Sequence, residues 1–128
     1  MISWFEKKRY VSWMVTVFIF FFIFLMSSLQ FAPTVAGPMG IRAILYHITV
    51  FFLLAFFLFV SVLKRKWKIN LILLCLAVVT LYAALDELHQ YFVPGRFTSF
   101  SDFLLDFNGI IFASLIYFIL IEIKNSGS

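Results

Sequence analysis

Residues 69–96 read INLILLCLAVVTLYAALDELHQYFVPGR. From Ile69 to Leu85 no residue is charged, and then Asp86, Glu87, His89 and Gln90 crowd together ahead of Pro94-Gly95-Arg96. The uncharged part is apolar enough to lie in a bilayer, whose core takes about 20 residues of helix. The apolar pattern carries on through the polar residues to Val93 before Pro94 breaks it. Ionisable side chains at membrane depth are costly, so they mark a functional site by default.

Outward from this stretch the chain holds three more apolar runs. Tyr10–Leu29 and Ala43–Leu63 carry no charge, and a fourth run extends from Asp102 to Ile121. The predicted helices are therefore 10–29, 43–63, 69–93 and 102–121. Composition agrees, with 64% hydrophobic and 12% charged residues in 128, where a soluble domain has about 45–50% and roughly 25%. The predicted fold is all-α: one transmembrane domain over 1–128, with four helices in an up-down bundle. Lys7, Lys8 and Arg9 precede the first run as they would in a signal peptide, but the run is long for one, and it is read as a retained helix.

The loops give an orientation. Lys7, Lys8 and Arg9, then Lys64, Arg65, Lys66 and Lys68, then Lys124 fall on one side, leaving Arg42 and Arg96 on the other. Basic residues collect on the cytoplasmic side, so both termini are expected inside and the polar cluster outside. Trp4, Trp13 and Trp67 suit the inner interface. This pattern explains the net charge of +4 as topology and excludes a nucleic-acid partner; the partner is the lipid bilayer. The single cysteine, Cys75, lies in an apolar run and reads as an inert buried thiol.

Helical spacing then sorts the polar residues. At about 100° per residue, Asp86, Glu87, His89 and Gln90 share an arc of about 160°, with Leu85, Leu88 and Phe92 opposite. Asp102, Asp106, Gly109 and Ala113 lie within about 60° of one another on the last helix. Asn108 points elsewhere. Ser99 is placed to cap that helix, with Asp102 as the acid of a capping box. Asp86 lies roughly 10 Å below the outer end of its helix, which makes a shallow pocket and no path through the membrane. The opposite halves of the helices carry no polar residues to match it.

The chemistry that these residues allow is open at this level. Four carboxylates, Asp86, Glu87, Asp102 and Asp106, face only Arg42 and Arg96 as fixed positive charges. So many close carboxylates call for protonation, a bound divalent cation or a tight pair with Arg96. His47 opens the second helix on the same side. A metal or acid–base site is geometrically allowed, with Asp86, Glu87, His89, Asp102 and Asp106 as catalytic candidates. Glu87, His89, Asp102 and Asp106 are the candidate metal ligands, and Gln90, Arg96, Ser99 and His47 the candidate ligand contacts. Each also has a structural reading: Ser99 and Asp102 as a cap, Arg96 as a clamp between Glu87 and Asp102, His47 as a packing residue. No phosphate-cradling glycine loop, nucleophile–base pair or HExxH motif is present, so no reaction is assigned.

Glu87, Gln90, Pro94, Arg96, Asp102, Asp106 and Gly109 together resemble the pattern of the VanZ-like family, small bacterial membrane proteins named after a teicoplanin-resistance accessory protein. Asp86 to Arg96 is similar to the subgroup with DE, an apolar residue, HQ and VPGR. Met26-Ser27-Ser28 is similar to the family's Ser-Ser element, and His47 to a histidine that opens helix two. Val50 stands where the family often has an acid, and Ala113 where a second glycine is common. The resemblance implies four helices, an envelope location and a link to glycopeptide tolerance. The readings that remain are a site that acts on or binds a lipid-linked or cell-wall ligand, a proton- or ion-coupled carrier, and a non-catalytic interaction protein.

Overall fold

The computed structural model describes residues 2–29, 40–64, 68–96 and 98–126, except the side chains of Ile2, Ser3, Glu6 and Lys124. Pro33, Gly37 and Pro38 of the first loop, and Arg65, Lys66 and Trp67 of the basic turn, lie outside the described residues. Five helices are present among the described residues: α1 Ile2–Lys7, α2 Arg9–Ser28, α3 Ile41–Leu63, α4 Ile69–Tyr91 and α5 Phe100–Ser126. The last four are each long and apolar enough to cross a membrane. Their outer surface is rich in apolar side chains: Phe18, Phe21, Leu25, Leu73, Leu81, Leu85 and Ile119 are all exposed. That distribution suits a solvent of lipid chains.

Helix ends follow local chemistry. The α3 helix stops where Lys64 turns left-handed, at φ 47°. The sequence reading ran α4 to Val93, but it ends at Tyr91. Val93 precedes a proline, whose ring disfavours helical backbone at that residue. Val93 to Arg96 instead forms a turn closed by the Arg96 N–H on the Val93 carbonyl at 3.2 Å. Gly95 sits in it at φ 82°, a conformation that suits glycine after Pro94. The α5 helix starts at Phe100, two residues earlier than expected. Helix α1 was not expected at all. It is separated from α2 by a bend at Lys8 and is pinned by packing: the Phe5 and Phe57 rings meet edge to face at 5.3 Å.

Three cross-helix hydrogen bonds define the topology. Thr16, early in α2, meets Ser61, late in α3, so those helices run antiparallel. Ser27 and Asp86 sit late in α2 and α4, which run parallel. His47 and Asp106 sit early in α3 and α5, which also run parallel. This is the expected up-down arrangement. Helices α3 and α4 touch each other and form the middle, with α2 on one flank and α5 on the other. The most extensive contact joins α3 to α5. Gly109 permits it, because a Cβ there would collide with the Ile48 carbonyl oxygen and lie 3.0 Å from the Phe52 nitrogen. Small buried residues, Ala55, Ala83 and Ala113, continue the close packing. Val50, one turn beyond His47, is buried in this apolar core.

Candidate functional site: a buried polar cluster at one end of the bundle

The polar residues of α4 divide between two neighbours. Asp86 points towards α2 and accepts hydrogen bonds from Ser27 Oγ at 2.5 Å and from Gln90 Nε2 at 2.8 Å. Gln90 in turn accepts from Arg96 Nη2 at 2.7 Å. The Pro94-Gly95 turn is what brings Arg96 back over α4, six residues after Gln90. Asp86 and Gln90 are both buried. His89 Nε2 lies 3.0 Å from Ser28 Oγ, and its ring stacks on Phe24 at 5.1 Å. Ser27 and Ser28 thus face Asp86 and His89 as two adjacent hydroxyls against two polar groups one turn apart.

Glu87 looks the other way, into the space between α3 and α5. His47 Nδ1 lies 2.8 Å from Asp106 Oδ1 there, and Asp106 is 0% exposed. His47, Glu87 and Asp106 each bring one donor atom to within 4.8 Å of the others. One turn before Asp106, the buried Asp102 accepts the Ser99 backbone N–H at 2.8 Å and the Ser99 hydroxyl at 3.1 Å, both on Oδ2. The acid half of the expected capping box is therefore formed. The Ser99 hydroxyl is spent on the carboxylate itself.

This second set is only partly hydrogen-bonded. Both Glu87 oxygens, Asp102 Oδ1, Asp106 Oδ2 and the Tyr46 hydroxyl are buried without a hydrogen bond. Four of these five atoms are carboxylate oxygens. A buried acceptor left unmade costs about 1–3 kcal/mol, more when charged, so each calls for a donor or a cation. The arrangement can take hydroxyl, ammonium or metal groups at the carboxylates, and phosphate or carboxylate at the Arg96 guanidinium.

Of the sequence candidates, Asp86, Glu87, His89 and Gln90 share the inward arc, and Asp102 and Asp106 share the inward face of α5. The two histidines do not come together: His47 joins Asp106 and Glu87, while His89 joins Ser28. Asn108 is exposed and donates to the Leu104 carbonyl at 2.7 Å, pointing away as expected. Tyr46 carried no signal in the sequence beyond its place beside His47. Ser27 and Ser28 carried one, as paired hydroxyls ending an apolar run. The other halves of the helices are less apolar than expected. Ser12, Thr16 and Ser61 are buried there, and Thr16 and Ser61 meet at 3.3 Å. Thr16 Oγ1 also lies 2.9 Å from the Ser12 carbonyl and Ser61 Oγ 2.7 Å from the Phe57 carbonyl, so one hydroxyl donates across the pair while the other donates back to its own helix, which keeps both tolerable inside a bundle.

The family model described as VanZ/LLP1 matches residues 3–121, which include all the residues of the polar cluster. The chain belongs to the VanZ/LLP1 family. No curated protein and no solved structure matches it. In this VanZ/LLP1 member the motif residues have distinct places. Glu87 and Asp106 line the set with unpartnered carboxylate oxygens, Gln90 and Arg96 form the bonded one, and Gly109 sets the α3–α5 approach.

Proposed function

We propose that this VanZ/LLP1 family member is a bacterial cytoplasmic-membrane protein with both termini inside and the polar cluster at the outer face. There the cluster binds a lipid-linked or cell-wall component, with a link to tolerance of glycopeptides such as teicoplanin. The orientation is supported by the distribution of basic residues, with eight on the terminal side against Arg42 and Arg96 on the cluster side. The single observation carrying the binding role is the set of four buried carboxylate oxygens without a donor. A headgroup rich in hydroxyl or ammonium groups supplies such donors, and Arg96 beside Gln90 suits its phosphate or carboxylate. The role is binding, with no reaction assigned.

Lipids retained by the purified protein, identified by native mass spectrometry, test this reading. Wild type is expected to keep a phosphate-bearing envelope lipid that Arg96→Ala and Asp102→Asn lose while still accumulating in the membrane. Identical lipids on all three proteins would remove the headgroup role. Gradient-driven proton or ion flux in proteoliposomes would replace it with a carrier.

A further inference from the structure

We infer that His47, Glu87 and Asp106 form a binding site for one divalent transition-metal ion, with zinc as the fitting ion. Three different helices each supply one donor: His47 from α3, Glu87 from α4 and Asp106 from α5. These donor atoms lie within 4.8 Å of one another. A tetrahedral ion with bonds of about 2.0–2.2 Å holds its donors roughly 3.4 Å apart. Glu87 has to draw in, and His47 Nδ1 and Asp106 Oδ1, now 2.8 Å apart, have to open by about 0.6 Å.

The second observation is independent of that spacing. Asp106 is 0% exposed and its Oδ2 has no hydrogen-bond partner. Both oxygens of Glu87 are buried and equally without one. Side-chain glue alone would leave these atoms bonded, as buried polar groups almost always are. A cation gives Glu87 the partner it lacks and offsets the two carboxylate charges. It takes the place of the proton between His47 Nδ1 and Asp106 Oδ1, and His47 binds as the neutral imidazole with its one proton on Nε2.

The donor set selects the ion. Magnesium and calcium prefer all-oxygen shells. One imidazole with two carboxylates suits zinc, which binds such nitrogen and oxygen sites above manganese and iron in the usual affinity order. Three protein donors leave a fourth position open, as in zinc sites that take water or a ligand. His89, occupied by Ser28 and Phe24, takes no part.

The site draws on three of the four oxygens that the headgroup reading invokes, and the two are told apart by their readouts, metal content here and retained lipid there. Protein purified in detergent, stripped with chelator and titrated with zinc should take up about one ion per chain, measured by mass spectrometry of the metal after desalting. Glu87→Gln and Asp106→Asn should each reduce uptake at least tenfold, while Ser28→Ala and Asn108→Ala keep it. Circular dichroism and size-exclusion chromatography identify any variant that fails to fold. Should Asp106→Asn fail, Glu87→Gln and a zinc-dependent rise in the melting temperature of wild type decide. Wild type that takes up no zinc, or uptake equal in wild type and folded Glu87→Gln, overturns the site.

Discussion

His47 Nδ1 and Asp106 Oδ1 stand 2.8 Å apart at matching levels of two parallel helices, and both side chains are buried. Removing one partner leaves the other buried without compensation. His47→Ala is therefore expected to lower stability by about 3–5 kcal/mol. A double-mutant cycle with Asp106→Ala, measured by denaturant unfolding in detergent, should show coupling of about 0.5–3 kcal/mol. Additive effects would mean that the two side chains do not interact.

Gly109 sets how closely those two helices approach. Its absent Cβ leaves room for the Ile48 carbonyl, so Gly109→Ala forces α3 and α5 apart. The expected cost is about 1–3 kcal/mol. Gly40→Ala is the control, since a Cβ there meets nothing within 4 Å. Equal melting temperatures for the two variants would contradict the close contact.

Glu87 contributes differently from His47. Neither of its oxygens has a partner, so Glu87→Gln removes no hydrogen bond. In chelator the variant should melt at or above wild type, because an uncompensated buried carboxylate is gone. A fall of several degrees in the metal-free protein would mean that Glu87 has a stabilising partner.

Orientation can be read with the chain's one cysteine removed. In a Cys75→Ala background, Arg42→Cys should react with a membrane-impermeant maleimide on intact cells. Lys64→Cys and Asn125→Cys should react only after lysis. The reverse pattern would put the polar cluster on the cytoplasmic side.

The four long helices were legible because an apolar run of that length admits few other structures. The inward faces of α4 and α5 were legible because helical geometry fixes angles within one helix. The pairings between helices were not. Ser27 meets Asp86 and His47 meets Asp106 across 59 residues each. Those pairs depend on how the helices rotate against one another, which is decided by contacts such as Gly109 on Ile48. The same rotation places His47 with Asp106 and His89 with Ser28, at one end of the bundle but on different neighbours. Helix α1 was invisible for another reason: six residues give too little periodicity to read.

Asp86 and Glu87 are consecutive, so their side chains leave α4 about 100° apart. One is held by α2 and the other reaches between α3 and α5. Any roll of α4 that draws Glu87 deeper therefore swings Asp86 off Ser27. The two halves of the cluster therefore share a single helix axis, and a roll of α4 cannot reposition one without the other.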